Sequence, residues 1–301
     1  MSGHRTSGIP ALDGVRAVAV ALVLADHGGV PGISGGFLGV DVFFVLSGFL
    51  ITSLLIEELG RTGGIDLPAF WVRRARRLLP ALLVMVMAVV VLRELFPAEA
   101  VNAVRDDAVA AFFWMANWVF VFRHTDYFTQ GETPSPLQHT WSLAVEEQYY
   151  LVWPVLLVVV AALLAWFTRK RPSRPTLRTV RLVVFGLAAA GAVASAVAAS
   201  LLVDDASRNR VYFGTDTRVQ ALLVGAAASA LLVRDWPSLA RYGTQLRSRW
   251  ARWTAQLLPV AGLTVLGLAA HYASGTVREF RGGLLSVVAL AAVLVIAPVA
   301  V

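Results

Sequence analysis

Eight runs of mostly apolar residues constrain this chain more than any other feature. They cover residues 11–27, 37–56, 78–96, 141–167, 182–203, 217–233, 257–271 and 284–301. A helix crosses a bilayer in about 17–25 residues, so each run is near or above that length, the shortest with help from its flanks. Transmembrane strands would alternate polar and apolar over about ten residues, and these runs are longer and unbroken. With 57% hydrophobic and only 15% charged residues, the expected fold is all-α, a polytopic transmembrane helix bundle forming one domain over residues 1–301. The start of the chain imitates a secretory signal, but charges punctuate it and many spans follow.

The net charge is +7, and the basic residues cluster between the apolar runs. That pattern is a topology signal, and nucleic-acid binding is not expected. Arg61, Arg73, Arg74, Arg76 and Arg77 lie between the second and third runs. Arg169, Lys170, Arg171, Arg174, Arg178 and Arg181 follow the fourth; Arg234, Arg241, Arg247, Arg249 and Arg252 follow the sixth. With Arg5 these are most of the 26 Lys and Arg, and the positive-inside rule wants them all in the cytoplasm. They share one side only if residues 108–122, apolar but short, do not cross. That segment is therefore expected to be re-entrant or to lie along the outer interface. The N-terminus is then cytoplasmic, in a multi-pass protein of the plasma (inner) membrane contacted by lipids, and His27 lies near the outer face. The chain has no cysteine, which excludes disulfides, thiolate metal sites and thiol catalysis; no metal is expected.

The first run carries Arg16 and His27, eleven positions apart. At about 100° per residue they share one helix face, with a rise between them of about 16 Å. Ionisable residues within a span are costly and mark functional paths by default. The alternative is that Arg16 snorkels to the interface and His27 ends the helix. Asp41, near the outer end of the second run, is either functional or an interfacial carboxylate. In the stretch from Phe70 to Pro80, Arg73/Arg76 and Arg74/Arg77 stand three apart, each pair on one helix face. Forked guanidiniums so placed clamp phosphates, or else serve topology and anionic headgroups. Pro80 suits the first turn of the following helix.

From Gln138 to Tyr150, His139, Ser142, Glu146 and Tyr149 form one helical stripe. This is either a reactive surface or a structural hydrogen-bond network. Ser47 and Gly48 suit close helix packing. Asp216 and Arg218, at the outer end of the sixth run, lend a carboxylate and a cation to the same interior, or Asp216 only caps its helix. His271 and Arg278 read as interfacial.

Taken together, these motifs resemble the membrane acyltransferase family usually called acyltransferase family 3, which includes O-acetyltransferases of bacterial surface polysaccharides and acyltransferases of antibiotics. The matching pieces are Leu12-Asp13-Gly14-Val15-Arg16-Ala17 followed by His27, residues 39–51, residues 70–80, residues 139–150 (with Trp141) plus Trp153-Pro154, and residues 215–225. They occur in the family's order across about four-fifths of the chain. The resemblance implies a bundle of about ten helices that moves an acyl group, acetyl being expected, from cytoplasmic acyl-CoA (acetyl-CoA) to a hydroxyl of an extracytoplasmic carbohydrate or lipid-linked sugar. It further implies that Arg16 and His27 are essential and that Arg74 and Arg77 face the donor. Family members usually continue past the point where this chain stops, so the domain is expected to lack its C-terminal helices.

For acyl transfer, His27 is the expected general base. Glu146 or Asp41 would orient it, Asp26 lying about 100° around the helix. Arg16 would stabilise the oxyanion or hold the donor's pantetheine arm, and the basic residues near Arg74 and Arg77 would hold its phosphates. Two rival classes use the same residues. One is a proton-coupled transporter, which would more often show internal repeats; the other is an inactive membrane scaffold.

Overall fold

The computed structural model describes residues 10–101, 103–128, 134–168, 176–232 and 249–300. Arg5, Arg169, Lys170, Arg171, Arg174, Arg234, Arg241 and Arg247, counted above among the topology signals, lie outside the described residues. All regular structure among the described residues is helical: α1 (Pro10–His27), α2 (Gly39–Thr62), α3 (Leu67–Val91), α4 (Ala98–Val101), α5 (Val104–Phe112), α6 (Ala116–Phe122), α7 (Thr140–Thr168), α8 (Leu177–Leu202), α9 (Arg208–Phe213), α10 (Thr215–Leu232), α11 (Arg249–Tyr272), α12 (Val277–Arg281) and α13 (Leu284–Ala300). Among the described residues each apolar run is thus helical over most of its length. The segments Gly36–Thr62, Thr140–Phe167 and Leu177–Leu202 are long and apolar enough to cross a membrane by length and hydropathy alone.

Local chemistry sets several boundaries. Gly63, in the left-handed region at φ 76°, ends α2 by donating its N–H to the Leu59 carbonyl. The Asp66 carboxylate caps α3 by accepting from Ala69 N at 2.9 Å. Because of that cap, and of Pro68 in the first turn, α3 begins at Leu67 rather than at residue 78. Pro80 is therefore inside the helix, not in its first turn, and the arginine cluster is part of the same continuous helix. Residues 108–122 form no crossing helix: α5 and α6 are separated at Trp114, whose φ is 57°.

Cross-helix pairs give the directions of the long helices. Trp71 Nε1 donates to the Tyr150 carbonyl at 3.1 Å, and His139 Nε2 lies 2.8 Å from Met85 Sδ, so α3 and α7 are antiparallel. The end of α3 and the start of α7 therefore share one face, and α4–α6 return to it without crossing. Ser47 pairs with Glu146 and Thr52 with Tyr149, so α2 and α7 are parallel. Asp41 pairs with Arg218 and Ser53 with Ser229, so α10 runs the same way. Arg181 donates to the Ala230 carbonyl and Ser195 to the Asp216 carbonyl, so α8 opposes α10. Gly60 of α2 approaches Leu177 of α8. The helix ends flanking all three basic loops thus gather at one end of the bundle, as the charge pattern demands.

The core centres on α2. A Cβ on Gly48 would lie 1.8 Å from the Leu222 carbonyl oxygen, and one on Gly225 2.0 Å from that of Val45. Two backbones approach so closely only where side chains are missing, which is how small residues bind helices in a bilayer. α7 and α8 instead expose apolar side chains outward, among them Leu151, Val152, Leu163, Val193 and Leu201.

Candidate functional site

α1 is laid against the start of α2 by two glycines: a Cβ on Gly36 would come within 2.3 Å of the Leu22 carbonyl oxygen, and one on Gly39 within 2.6 Å of that of Ala19. This contact fixes the last turn of α1, where His27 sits. His27 Nδ1 is 2.9 Å from the Val23 carbonyl oxygen. A carbonyl only accepts, so Nδ1 carries the hydrogen, and in the neutral ring the lone pair lies on Nε2.

His27 opens on a cavity of about 580 Å³ at this end of the bundle. Its wall includes Asp26, Asp107, Arg123, Tyr127 and Gln138. Arg123 from the end of α6 pairs with the fully buried Asp107 of α5 and, at 3.2 Å, with Asp106. Tyr127 stands edge-on to His27 at 6.1 Å between ring centroids and packs on the Tyr212 ring at 4.4 Å. Burial pushes the Tyr127 phenol up, which keeps it protonated and neutral.

A second polar cluster lies deeper. Glu146 accepts from Ser47 Oγ at 2.9 Å and from Tyr150 OH at 3.2 Å. Arg74 lies 5.2 Å over the Tyr150 ring and 5.6 Å over Phe70. Both Arg74 and Arg16 are close enough to Glu146 to act on its charge, and His27 acts likewise on His139. The two α1 residues picked out by spacing thus lie within electrostatic range of residues at the start of α7, His27 of His139 and Arg16 of Glu146. Arg16 also pairs with Asp13 at 2.8 Å. It is not among the residues lining the cavity at His27.

Other expected site residues fall elsewhere. Asp41 does not orient His27: it is buried against Arg218 at 2.9 Å, and Arg218 is enclosed by the rings of Tyr212, Trp141 and Phe44 at 4.7, 5.6 and 5.7 Å. Asp216 forms a two-point ion pair with Arg210 at 2.9 and 2.8 Å. Ser142 donates to the His139 carbonyl, and Tyr149 meets Thr52, which also accepts from Trp153 Nε1. Arg74 turns inward, away from the exposed Arg73, Arg76 and Arg77.

Sequence reasoning missed Asp107, Arg123, Tyr127 and Gln138 as site residues. The available signal was the charge bracket of Asp106, Asp107 and Arg123 around an apolar segment too short to cross. It also assigned Ser47 to packing, whereas its hydroxyl serves Glu146. Among the described residues no cluster of His, Cys, Asp and Glu is suited to hold a metal.

Comparison with known proteins identifies the family. A family described as an acyltransferase domain matches residues 9–301. The chain is 39% identical over 292 residues to the peptidoglycan O-acetyltransferase OatA of Listeria monocytogenes, covering 95% of this chain and 43% of that protein. It is 38% identical over 289 residues to the putative peptidoglycan O-acetyltransferase YrhL of Bacillus subtilis, with the same coverage of 95% and 43%. It is 44% identical over 232 residues to the O-acetyltransferase OatA of Staphylococcus aureus, covering 77% of this chain and 35% of that one. The chain thus spans less than half the length of these relatives. No solved structure matches it.

Proposed function

Since the chain belongs to the acyltransferase family, we propose that it moves an acetyl group from cytoplasmic acyl-CoA, acetyl-CoA being the expected donor, to a hydroxyl of an extracytoplasmic carbohydrate. The names of its relatives point to peptidoglycan as that carbohydrate. The observation that supports the reading is that His27 lines a cavity of about 580 Å³ while its Nδ1 is held by the Val23 carbonyl oxygen, which leaves Nε2 as the basic nitrogen.

In the proposed reaction, His27 Nε2 accepts the proton of the acceptor hydroxyl as its oxygen attacks the thioester carbonyl. The C–O bond forms, the C–S bond breaks, and the proton passes from His27 to the departing thiolate. Arg16, about 16 Å from His27 along the same helix, is too far to reach that carbonyl oxygen and suits the donor's pantetheine arm instead. Glu146, hydrogen-bonded by Ser47 and Tyr150, lies within electrostatic range of Arg16 and Arg74. Arg73, Arg76 and Arg77, exposed at the inner end, suit the donor's phosphates. Arg74, laid over Tyr150 and Phe70, fits an inward role better than phosphate binding.

The test is acetyl-CoA consumption by the protein in lipid nanodiscs, with soluble peptidoglycan fragments as acceptor. Acceptor-dependent release of CoA, accompanied by an acetylated sugar in the mass spectrum, is the expected result. A protein that transports or only scaffolds releases none, and that outcome overturns the proposal.

A further inference from the structure

Two polar atoms on residues lining the cavity at His27 have no hydrogen-bond partner among the described residues, and their chemistry is complementary. One is Asp107 Oδ2; the other is Gln138 Nε2. Asp107 is contributed by α5 and its side chain is 0% exposed. Arg123 holds its other oxygen, and an ion-paired carboxylate only accepts hydrogen bonds. Gln138 comes from the turn that leads into α7, and its amide nitrogen only donates. Leaving such buried groups unmatched costs stability, so a native structure retains them where a ligand or an ordered partner completes them.

A hydroxyl group both donates and accepts, and is the simplest group that answers both atoms. We propose that Asp107 and Gln138 are the specificity-determining pair for the acceptor, binding hydroxyls of a neutral, polyhydroxylated ring other than the hydroxyl that reacts at His27. This rests on the acyl-transfer reading above, since it takes the cavity at His27 as the acceptor's seat. A cavity of about 580 Å³ is within the roughly 300–1,000 Å³ range of small-molecule sites and far larger than a single water needs. Tyr127 and Phe128 supply the apolar faces that one side of a pyranose requires.

Charge argues against an anionic acceptor. Asp26, Asp107 and Asp126 line the cavity; its Arg123 is already matched by Asp106 and Asp107, and Asp126 is matched by Arg208 at 3.4 Å. A phosphate or carboxylate would therefore meet no unmatched guanidinium on the wall and would face Asp26 across a confined space. An ammonium group would suit Asp107 but leave the Gln138 amide donor facing a cation.

The experiment measures equilibrium binding of chitotetraose, a neutral N-acetylglucosamine oligomer, to the protein in nanodiscs, beside that of acetyl-CoA. Binding of chitotetraose should weaken roughly tenfold or more in each of Asp107→Asn and Gln138→Leu, as expected for the loss of one buried hydrogen bond. The affinity for acetyl-CoA should not move in either. Glucose 6-phosphate should bind the wild type more weakly than glucose does. Should Asp107→Asn fail to fold, Gln138→Leu decides, because no described side-chain bond of Gln138 is lost. An unchanged chitotetraose affinity in Gln138→Leu, or no binding by the wild type, overturns the inference. Sugar binding that depends on this pair but without any acetyl-CoA consumption would instead overturn the proposed function and leave the pair standing.

Discussion

His27 Nδ1 donates to the Val23 carbonyl oxygen at 2.9 Å, one turn back along the same helix. The bond fixes both the ring's rotation and its tautomer, so the basic nitrogen is the one turned away from the helix backbone. If that nitrogen takes the acceptor's proton, His27→Ala should lower kcat by about 10²–10⁴-fold. The Kd for acetyl-CoA should remain that of the wild type, because His27 lies at the opposite end of α1 from the basic cluster. Steady-state kinetics with a parallel binding titration measure both. A variant that keeps the wild-type rate removes His27 as the base.

The four arginines of α3 should divide into two classes. Arg76 and Arg77 are exposed, and Arg73 lies only loosely against Glu58 at 3.9 Å. Arg74 is packed between two rings and acts on Glu146 and Glu147. Arg76→Ala with Arg77→Ala should raise the KM for acetyl-CoA about tenfold or more, each lost phosphate contact being a charge-assisted bond. Raising the salt concentration should shrink that difference, since exposed charges are screened. Arg74→Ala should act mainly on kcat. The same KM effect from all four positions would refute the division.

Much of this arrangement is legible in the sequence because bilayer physics leaves few choices. Long apolar runs become helices, and clustered arginines mark one end of the bundle. Arg16 and His27 are found by spacing alone, since one helix fixes their common face. What spacing does not reveal is which face meets which neighbour. Asp41 and Arg218 lie 177 positions apart and pair with each other, so Asp41 is not the partner of His27. The cavity at His27 escapes for the same reason. Asp107, Arg123, Tyr127 and Gln138 lie on short helices and turns without periodicity, and only the folding back of α5 and α6 over the end of α1 brings them to His27. Arg74 and Arg77 also share a face by spacing, yet the packing of Arg74 on Tyr150 separates their roles.

The absence of native cysteine makes the topology directly testable by single introduced cysteines. Gly64→Cys and Thr176→Cys lie beside the basic loops; Leu95→Cys, Pro134→Cys and Asp205→Cys lie at the other end. In intact cells a membrane-impermeant maleimide should label the last three and spare the first two. Labelling of Leu95→Cys without Pro134→Cys would mean that α4–α6 cross the membrane, contrary to the shared face of α3 and α7.

Asp41 and Arg218 are both sealed from solvent, with 1% and 0% of their side chains exposed. Only Arg218 Nη2 meets the carboxylate; Asp41 Oδ1 and Arg218 Nε and Nη1 have no partner among the described residues. The surrounding rings of Tyr212, Trp141 and Phe44 offset part of the cation's desolvation. Removing one partner leaves an isolated buried charge, whereas removing both leaves an apolar contact. Asp41→Ala should therefore cost about 3–5 kcal/mol, read as a lower Tm of the purified protein in detergent. The double variant Asp41→Leu/Arg218→Met should recover most of that loss, because α2 and α10 keep their close glycine contact at Gly48 and Gly225. A double variant no more stable than Asp41→Ala would show that this pair makes a net contribution to holding the helices together, beyond offsetting its own burial.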